Sequence, residues 1–234
     1  MQNLEAVIFD LDGTLLDTVE DLTDTMNITL IKLDLPVISV EECKQLVGKG
    51  LYEFAYFSLP EQSRQPENVN KLIEEYIFEY KRRGRRKTRP YQGINELIEG
   101  LHARKIPSAI LSNKDETAVK SDVADFLSET WFTGVYGAHP KRQLKPDPAA
   151  ALKIAEYLNI PPAQVAFIGD TKTDMQTAKA SGMFAIGVLW GFRSADELIA
   201  NGADILVETP YQILQIINQE TAPINDVASV TARL

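Results

Sequence analysis

Apolar residues in this chain fall into short dense runs, separated by stretches in which they recur every three or four positions. The runs are Ala6–Phe9, Ile106–Leu111, Val165–Ile168, Phe184–Leu189 and Asp204–Val207, with Gly134–Tyr136 a weaker one. Runs of this length, rich in β-branched residues and bounded by turn formers, predict buried strands. Helical spacing predicts amphipathic helices over 93–104, 114–127, 147–159, 172–181 and 210–218. The third of these has Pro148 in its first turn and Leu152, Ile154, Ala155 and Leu158 along its apolar side. Alternation of strand and helix predicts an α/β fold: a Rossmann-like, mainly parallel sheet with helices on both faces.

Residues 18–85 break that rhythm. They contain no convincing strand, and Val69, Leu72, Ile73, Tyr76, Ile77 and Tyr80 form a regular helical stripe. The chain therefore divides into an α/β core (1–17 and 86–220), an inserted α-helical cap (18–85) and a tail (221–234) without a clear apolar face. Linkers around 14–20 and 81–90 join cap to core, and two such linkers imply a cap able to move over the cleft. Tyr52, Phe54, Tyr56 and Phe57 are expected in the helix core of the cap, and Trp190 and Phe192 against the core or at the border of the cleft.

Composition narrows the partners. A hydrophobic share of 44% and a net charge of −9 over 234 residues describe an ordinary globular chain without a general nucleic-acid-binding surface. The exception is the basic run Lys81–Arg89, expected as a solvated helix end whose charges suit a helix C-terminus. A positive rim that draws anionic substrates is the second reading, and a polynucleotide patch the third, since no aromatic residue interleaves with the charges. Cys43 is the one cysteine, expected as a small buried hydrophobe in a reducing compartment. With no basic leader before the first strand and no apolar stretch of membrane-spanning length, a cytoplasmic location is expected.

The chemistry concentrates at predicted strand ends. Asp10-Leu11-Asp12-Gly13-Thr14 follows the first strand, and i, i+2 spacing places both carboxylates on one face at its exit. Ligands bind at the carboxyl ends of parallel strands, and two crowded carboxylates call for a hard cation such as Mg²⁺. Ser112-Asn113 is expected at a helix start, where hydroxyl, amide and free N–H groups suit a phosphate oxygen. Lys145, in Lys145-Pro146-Asp147-Pro148, suits neutralisation of a phosphoryl group. Asp170 lies at the exit of the strand Val165–Ile168, able to complete an acidic metal site, and Asp174 follows one helical turn later. Each element alone has a plainer explanation as a cap, a turn or a surface charge; together they fall on one rim of one sheet. His102 and His139 lack neighbouring ligand-type residues and are not expected to bind metal.

With these four motifs in this order, the chain resembles the haloacid dehalogenase-like hydrolase superfamily, and within it the phosphoglycolate phosphatase-like group with a small helical cap. Leu46-Val47-Gly48-Lys49-Gly50, Arg89-Pro90-Tyr91-Gln92-Gly93 and Gly187–Phe192 support the narrower likeness. The resemblance implies a Mg²⁺-dependent phosphatase acting on a small phosphorylated metabolite through an aspartyl-phosphate. Asp10 would be the nucleophile and Asp12 the acid–base. Mg²⁺ would be held by Asp10, the backbone carbonyl of Asp12, and Asp170, with Asp174 orienting bound water or Lys145. Thr14, Ser112, Asn113 and Lys145 would cradle the phosphoryl oxygens. Asp12 favours an oxygen leaving group over halide, because only the former needs a proton. Pyrophosphate, nucleotides and sugar phosphates remain alternative substrates, and a sugar phosphomutase an alternative activity. Gly48, Lys49 and Gly50 would contribute to cap specificity; Lys49 as a Schiff-base former, as in phosphonoacetaldehyde hydrolase, ranks lower, as does a non-catalytic phosphate-binding protein.

Overall fold

The computed structural model describes residues 3–218. Its centre is a six-stranded sheet, all parallel, in the order β5-β4-β1-β6-β7-β8. The strands are β1 (Ala6–Phe9), β4 (Ser108–Asp115), β5 (Gly134–Ala138), β6 (Val165–Gly169), β7 (Phe184–Val188) and β8 (Ile205–Val207). Side chains alternate between two apolar layers, as a pleated strand requires. Val7, Phe9, Ile110 and Ile168 join residues of α5 (Ile94–Ala103), α6 (Glu116–Phe126) and α10 (Pro210–Ile217). Ala6, Ile8, Leu111 and Phe167 join α7 (Ala149–Leu158), α8 (Lys172–Ser181) and α9 (Ala195–Ala200) on the other face. A sheet covered on both faces explains why its strands read as continuous apolar runs.

Four helices, α1 (Val19–Lys32), α2 (Val40–Leu46), α3 (Leu51–Ser58) and α4 (Pro66–Arg83), form a third apolar cluster. Val69, Leu72 and Tyr76 of the α4 stripe are buried in it, whereas Ile77 is 39% exposed. Phe54 is buried there too, but Tyr52 and Phe57 of the same helix turn outward, contrary to expectation. A helix of eight residues has too few turns to bury its whole circumference. Cys43 lies in the cluster, and burial pushes its thiol up to about 11, as an inert apolar residue.

Several elements differ from the sequence pattern. The strand expected to end at Leu111 continues to Asp115 after a register shift, pairing Asp115 with Ala138. The next helix starts at Glu116, where Asp115 accepts the N–H groups of Thr117 (3.0 Å) and Ala118 (3.2 Å). Ser112 and Asn113 therefore stand on a strand extension, not at a helix N-terminus. Pro148 occupies the N-cap of α7, one residue before the first turn. The six-residue α9 was too short to show periodicity. The two linkers contain β2 (Leu16–Asp17) and β3 (Arg89–Pro90), which pair antiparallel. The tail expected at 221–234 lies outside the described residues.

The basic run begins as the expected helix end, with Lys81, Arg82 and Arg83 in the last turn of α4 and most of its side chains exposed, but several of its charges also have acidic partners. Arg83 and Lys87 face Asp24 of α1, Arg85 faces Asp122 of α6, and Arg89 faces Asp17. Asp21, in the first turn of α1, accepts the backbone N–H groups of Arg86 (3.3 Å), Lys87 (2.9 Å) and Thr88 (2.7 Å) and the Thr88 hydroxyl (2.7 Å). Burial works to raise its pKa, but these hydrogen bonds outweigh it and hold the carboxyl below its ordinary value. Asp21→Ala is expected to lower stability near neutral pH by about 2 kcal/mol in urea unfolding, the scale of hydrogen bonds to a charged group. Because the folded pKa is depressed, this difference is present above the unfolded value of about 3.9 and disappears as the pH falls through the folded one.

Candidate active site

Strands β1 and β6 are parallel neighbours with Phe9 opposite Ile168, so Asp10 leaves β1 opposite Gly169 and Asp170 follows one residue further along the adjacent strand. Asp10 is 4% exposed, and Asp170 and Asp174 are fully buried. Carboxylate oxygens of these three residues lie within 4.8 Å of one another. Among the described residues one ammonium reaches the group: Lys145 Nζ lies 2.8 Å from Asp10 Oδ1 and 2.7 Å from Asp174 Oδ1. The other oxygen of Asp174 accepts from the N–H (3.0 Å) and hydroxyl (2.6 Å) of Thr171 at the start of α8. Asp170 accepts from the Thr14 hydroxyl (3.0 Å) and the Phe192 N–H (2.8 Å).

Burial and the Asp174 charge push Asp10 up to about 7, although Lys145 pulls the other way. Burial, Asp174 and Asp10 together push Asp170 up to about 8. The Lys145 ammonium is disfavoured by burial, yet Asp10 and Asp174 raise its pKa above the ordinary lysine value. Three buried carboxylates against one ammonium leave uncompensated negative charge, and every donor in the trio is oxygen. Such a set fits a hard divalent cation such as Mg²⁺. Backbone geometry protects it. Gly13 has φ +85°, and a Cβ there would lie 2.4 Å from the Asp170 carboxylate; a Cβ at Gly191 would lie 2.6 Å from the same carboxylate.

The structure brings Asp10, Lys145, Asp170 and Asp174 together and redistributes the others. The Asp12 side chain lies outside the trio, with Oδ1 taking a hydrogen bond from Lys114 Nζ at 2.9 Å. Thr14 directs its hydroxyl at Asp170 rather than into the cleft. Asn113 donates to the carbonyls of Gly48 (3.0 Å) and Lys145 (2.9 Å) and accepts from the Lys145 N–H (2.8 Å). Both amide hydrogens are thereby used, so the Asn113 side chain fastens the Lys145 loop to the cap loop, at a position that also lines the cavity between core and cap. Ser112 lines a cavity of about 470 Å³ between core and cap, with Asp10, Asp12 and Lys114. Gly48 and Gly50 line it as well. Lys49 is not among the residues that line it; its Nζ lies 5.8 Å from the centre of the Phe57 ring. Trp190 Nε1 donates to the Thr14 carbonyl at 3.0 Å.

Lys114 is the site residue that pattern reading missed. Once β4 is extended past Leu111, strand alternation puts Ser112 and Lys114 on one side; a helix beginning at residue 114 hid that relation.

A parallel sheet with an acidic oxygen-donor cluster at its carboxyl edge and a helical cap above it defines a capped α/β hydrolase. A family profile for haloacid dehalogenase-like hydrolases matches residues 7–188, and this chain belongs to that family. A phosphoglycolate phosphatase of Xanthomonas campestris pv. campestris is 28% identical over 89% of this chain and 94% of its own length. One of Chromobacterium violaceum is 27% identical over 93% of this chain and 98% of its own. A crystal structure of a provisionally assigned phosphoglycolate phosphatase from Lactobacillus delbrueckii subsp. bulgaricus superposes with a TM-score of 0.85 at 29% identity, covering 93% of this chain and 99% of that one. A β-phosphoglucomutase from Clostridium difficile has the same fold, with a TM-score of 0.73 at 22% identity over 93% and 96% of the two chains. Family and relatives agree on the class of enzyme, a phosphatase.

Asp170→Asn tests the charge balance. Because the Asp170 pKa is raised, its carboxyl stabilises the metal-free protein least at high pH, as it ionises through about 8. In EDTA near pH 9 the variant is expected to melt above the wild type by calorimetry. Added Mg²⁺ is expected to raise the melting temperature of the wild type and not of the variant.

Proposed function

We propose that this enzyme is a Mg²⁺-dependent phosphomonoesterase of the cytoplasm that hydrolyses a small phosphorylated metabolite, with phosphoglycolate the first candidate. The observation that carries the proposal is the difference between the two aspartates of one turn. Asp10 is held by Lys145 against Asp174, whereas Asp12 faces a separate ammonium, Lys114. Two carboxylates in two environments can hold two roles.

In this scheme a carboxylate oxygen of Asp10 attacks phosphorus, forming an aspartyl-phosphate and breaking the ester bond. Asp12 gives a proton to the departing alkoxide, then takes one from the water that hydrolyses the intermediate. Lys145 keeps Asp10 oriented and offsets the charge of the phosphoryl group, while Ser112 borders the cavity where that group enters. Asp10, Asp170 and the Asp12 carbonyl would hold Mg²⁺, with Asp174 behind them. The cation would supply charge neutralisation between carboxylate and phosphate. The names of the relatives support phosphoglycolate. The cavity of about 470 Å³ is large for so small an ester, so sugar phosphates and nucleotides belong in the same screen.

Asp10→Asn is expected to fold with an unchanged far-ultraviolet spectrum and to lose at least about a thousandfold in kcat, measured by phosphate release with Mg²⁺. Near-normal turnover by this variant, or wild-type turnover unaffected by EDTA, would overturn the scheme.

A further inference from the structure

Lys114 belongs to a buried charge group that the scheme above leaves without a task. Its Nζ lies 2.9 Å from Asp12 Oδ1 and 2.6 Å from Asp122 Oδ2 on α6. Asp122 is completely buried and is itself held twice more. Arg85 lies 2.9 Å away, and the Tyr80 hydroxyl reaches its two oxygens at 3.3 and 3.2 Å. Tyr80 comes from α4 of the cap and Arg85 from the strand of chain returning to the core. The Tyr80 ring also covers Lys114, 5.2 Å from Nζ to its centre.

A structural ion pair would need only Lys114 and Asp122, and Asp122 already has Arg85. The arm to Asp12 is the unexplained part. An ammonium has donors and no acceptor, so Asp12 Oδ1 must present a lone pair to Lys114. Any proton that Asp12 carries then sits on Oδ2.

We propose that Lys114 is a positioning residue for phosphoryl transfer: it occupies Oδ1 of Asp12 and thereby aims Oδ2 at the leaving oxygen, while Asp122, Arg85 and Tyr80 hold Lys114 in place. The inference rests on Asp12 acting as acid–base. In the first step the Oδ2–H bond breaks and its proton goes to the leaving alkoxide, as the Asp10–phosphorus bond forms and the ester bond breaks. In the second, a water proton returns to Oδ2 as the water oxygen bonds to phosphorus and the Asp10–phosphorus bond breaks. Through Tyr80, the aim of the acid depends on how the cap is seated.

The test compares kcat/KM for an alkyl phosphate, whose leaving group needs a proton, with that for p-nitrophenyl phosphate, whose leaving group does not. In Lys114→Met the alkyl-to-aryl ratio is expected to fall about tenfold or more, the scale of a general acid. In Asp122→Asn and Tyr80→Phe it is expected to fall a few-fold in the same direction. Equal losses on both esters would mean a merely structural role and overturn the inference. If Lys114→Met does not fold, Asp122→Asn and Tyr80→Phe carry the same comparison, and an unchanged ratio in both overturns it. Absence of phosphate release from either ester by the wild-type enzyme would overturn the phosphatase scheme itself, a distinguishable result.

Discussion

The constraint on which the rest depends is the burial of three carboxylates around one ammonium. Isolated charges do not survive in a protein interior; they are paired, neutralised by a proton, or attached to a cation. Here Lys145 balances part of the charge, while burial first and the neighbouring carboxylates second push Asp10 and Asp170 up. Surrounding elements are bent to this need. Thr14 and the Phe192 N–H orient Asp170, Thr171 orients Asp174, and Gly13 and Gly191 leave room where any side chain would collide. The register between β1 and β6 sets the spacing of the two strand-end aspartates before any side chain is chosen.

A second arrangement separates roles. Asp10 and Asp12 are two residues apart, yet they answer to different lysines from different segments. Lys145 reaches Asp10 from the loop before α7, and Lys114 reaches Asp12 from the end of β4. Had one ammonium served both, the two carboxylates would have shared one electrostatic fate. The enzyme instead keeps two distinct ionic groups at this edge of the sheet, one around Lys145 and one around Lys114.

Much of this was legible from the chain. Apolar runs marked all six strands of the sheet because both of its faces are covered, and the helical stripe from Val69 to Tyr80 marked the cap. Asp10 and Asp170 were legible because strand-end position and residue type coincide, and Lys145 and Asp174 because each falls in a loop or first helical turn beside them. Other features were set by tertiary partners that leave no local pattern. The extension of β4 to Asp115 depends on β5 lying beside it, and α9 on six residues capped by Ser194. Asn113 looked like a phosphate ligand by its neighbours, but its amide is spent on the Gly48 and Lys145 carbonyls, 65 and 32 residues away in sequence. The Lys81–Arg89 run is largely exposed, as its composition suggests, but its acidic partners Asp17, Asp24 and Asp122 were not legible because they are distant in sequence.

The loop after β7 carries a consequence for mechanics. Phe192 is a core residue by sequence, yet its side chain is packed into the apolar cluster of the cap. Its neighbour Arg193 donates to the carbonyls of Lys44, Gln45 and Val47 at the end of α2. The backbone N–H of the same Phe192 holds Asp170. One short loop thus has a foot in each subdomain, and a single peptide unit separates the hydrogen bond that orients Asp170 from the side chain that grips the end of α2.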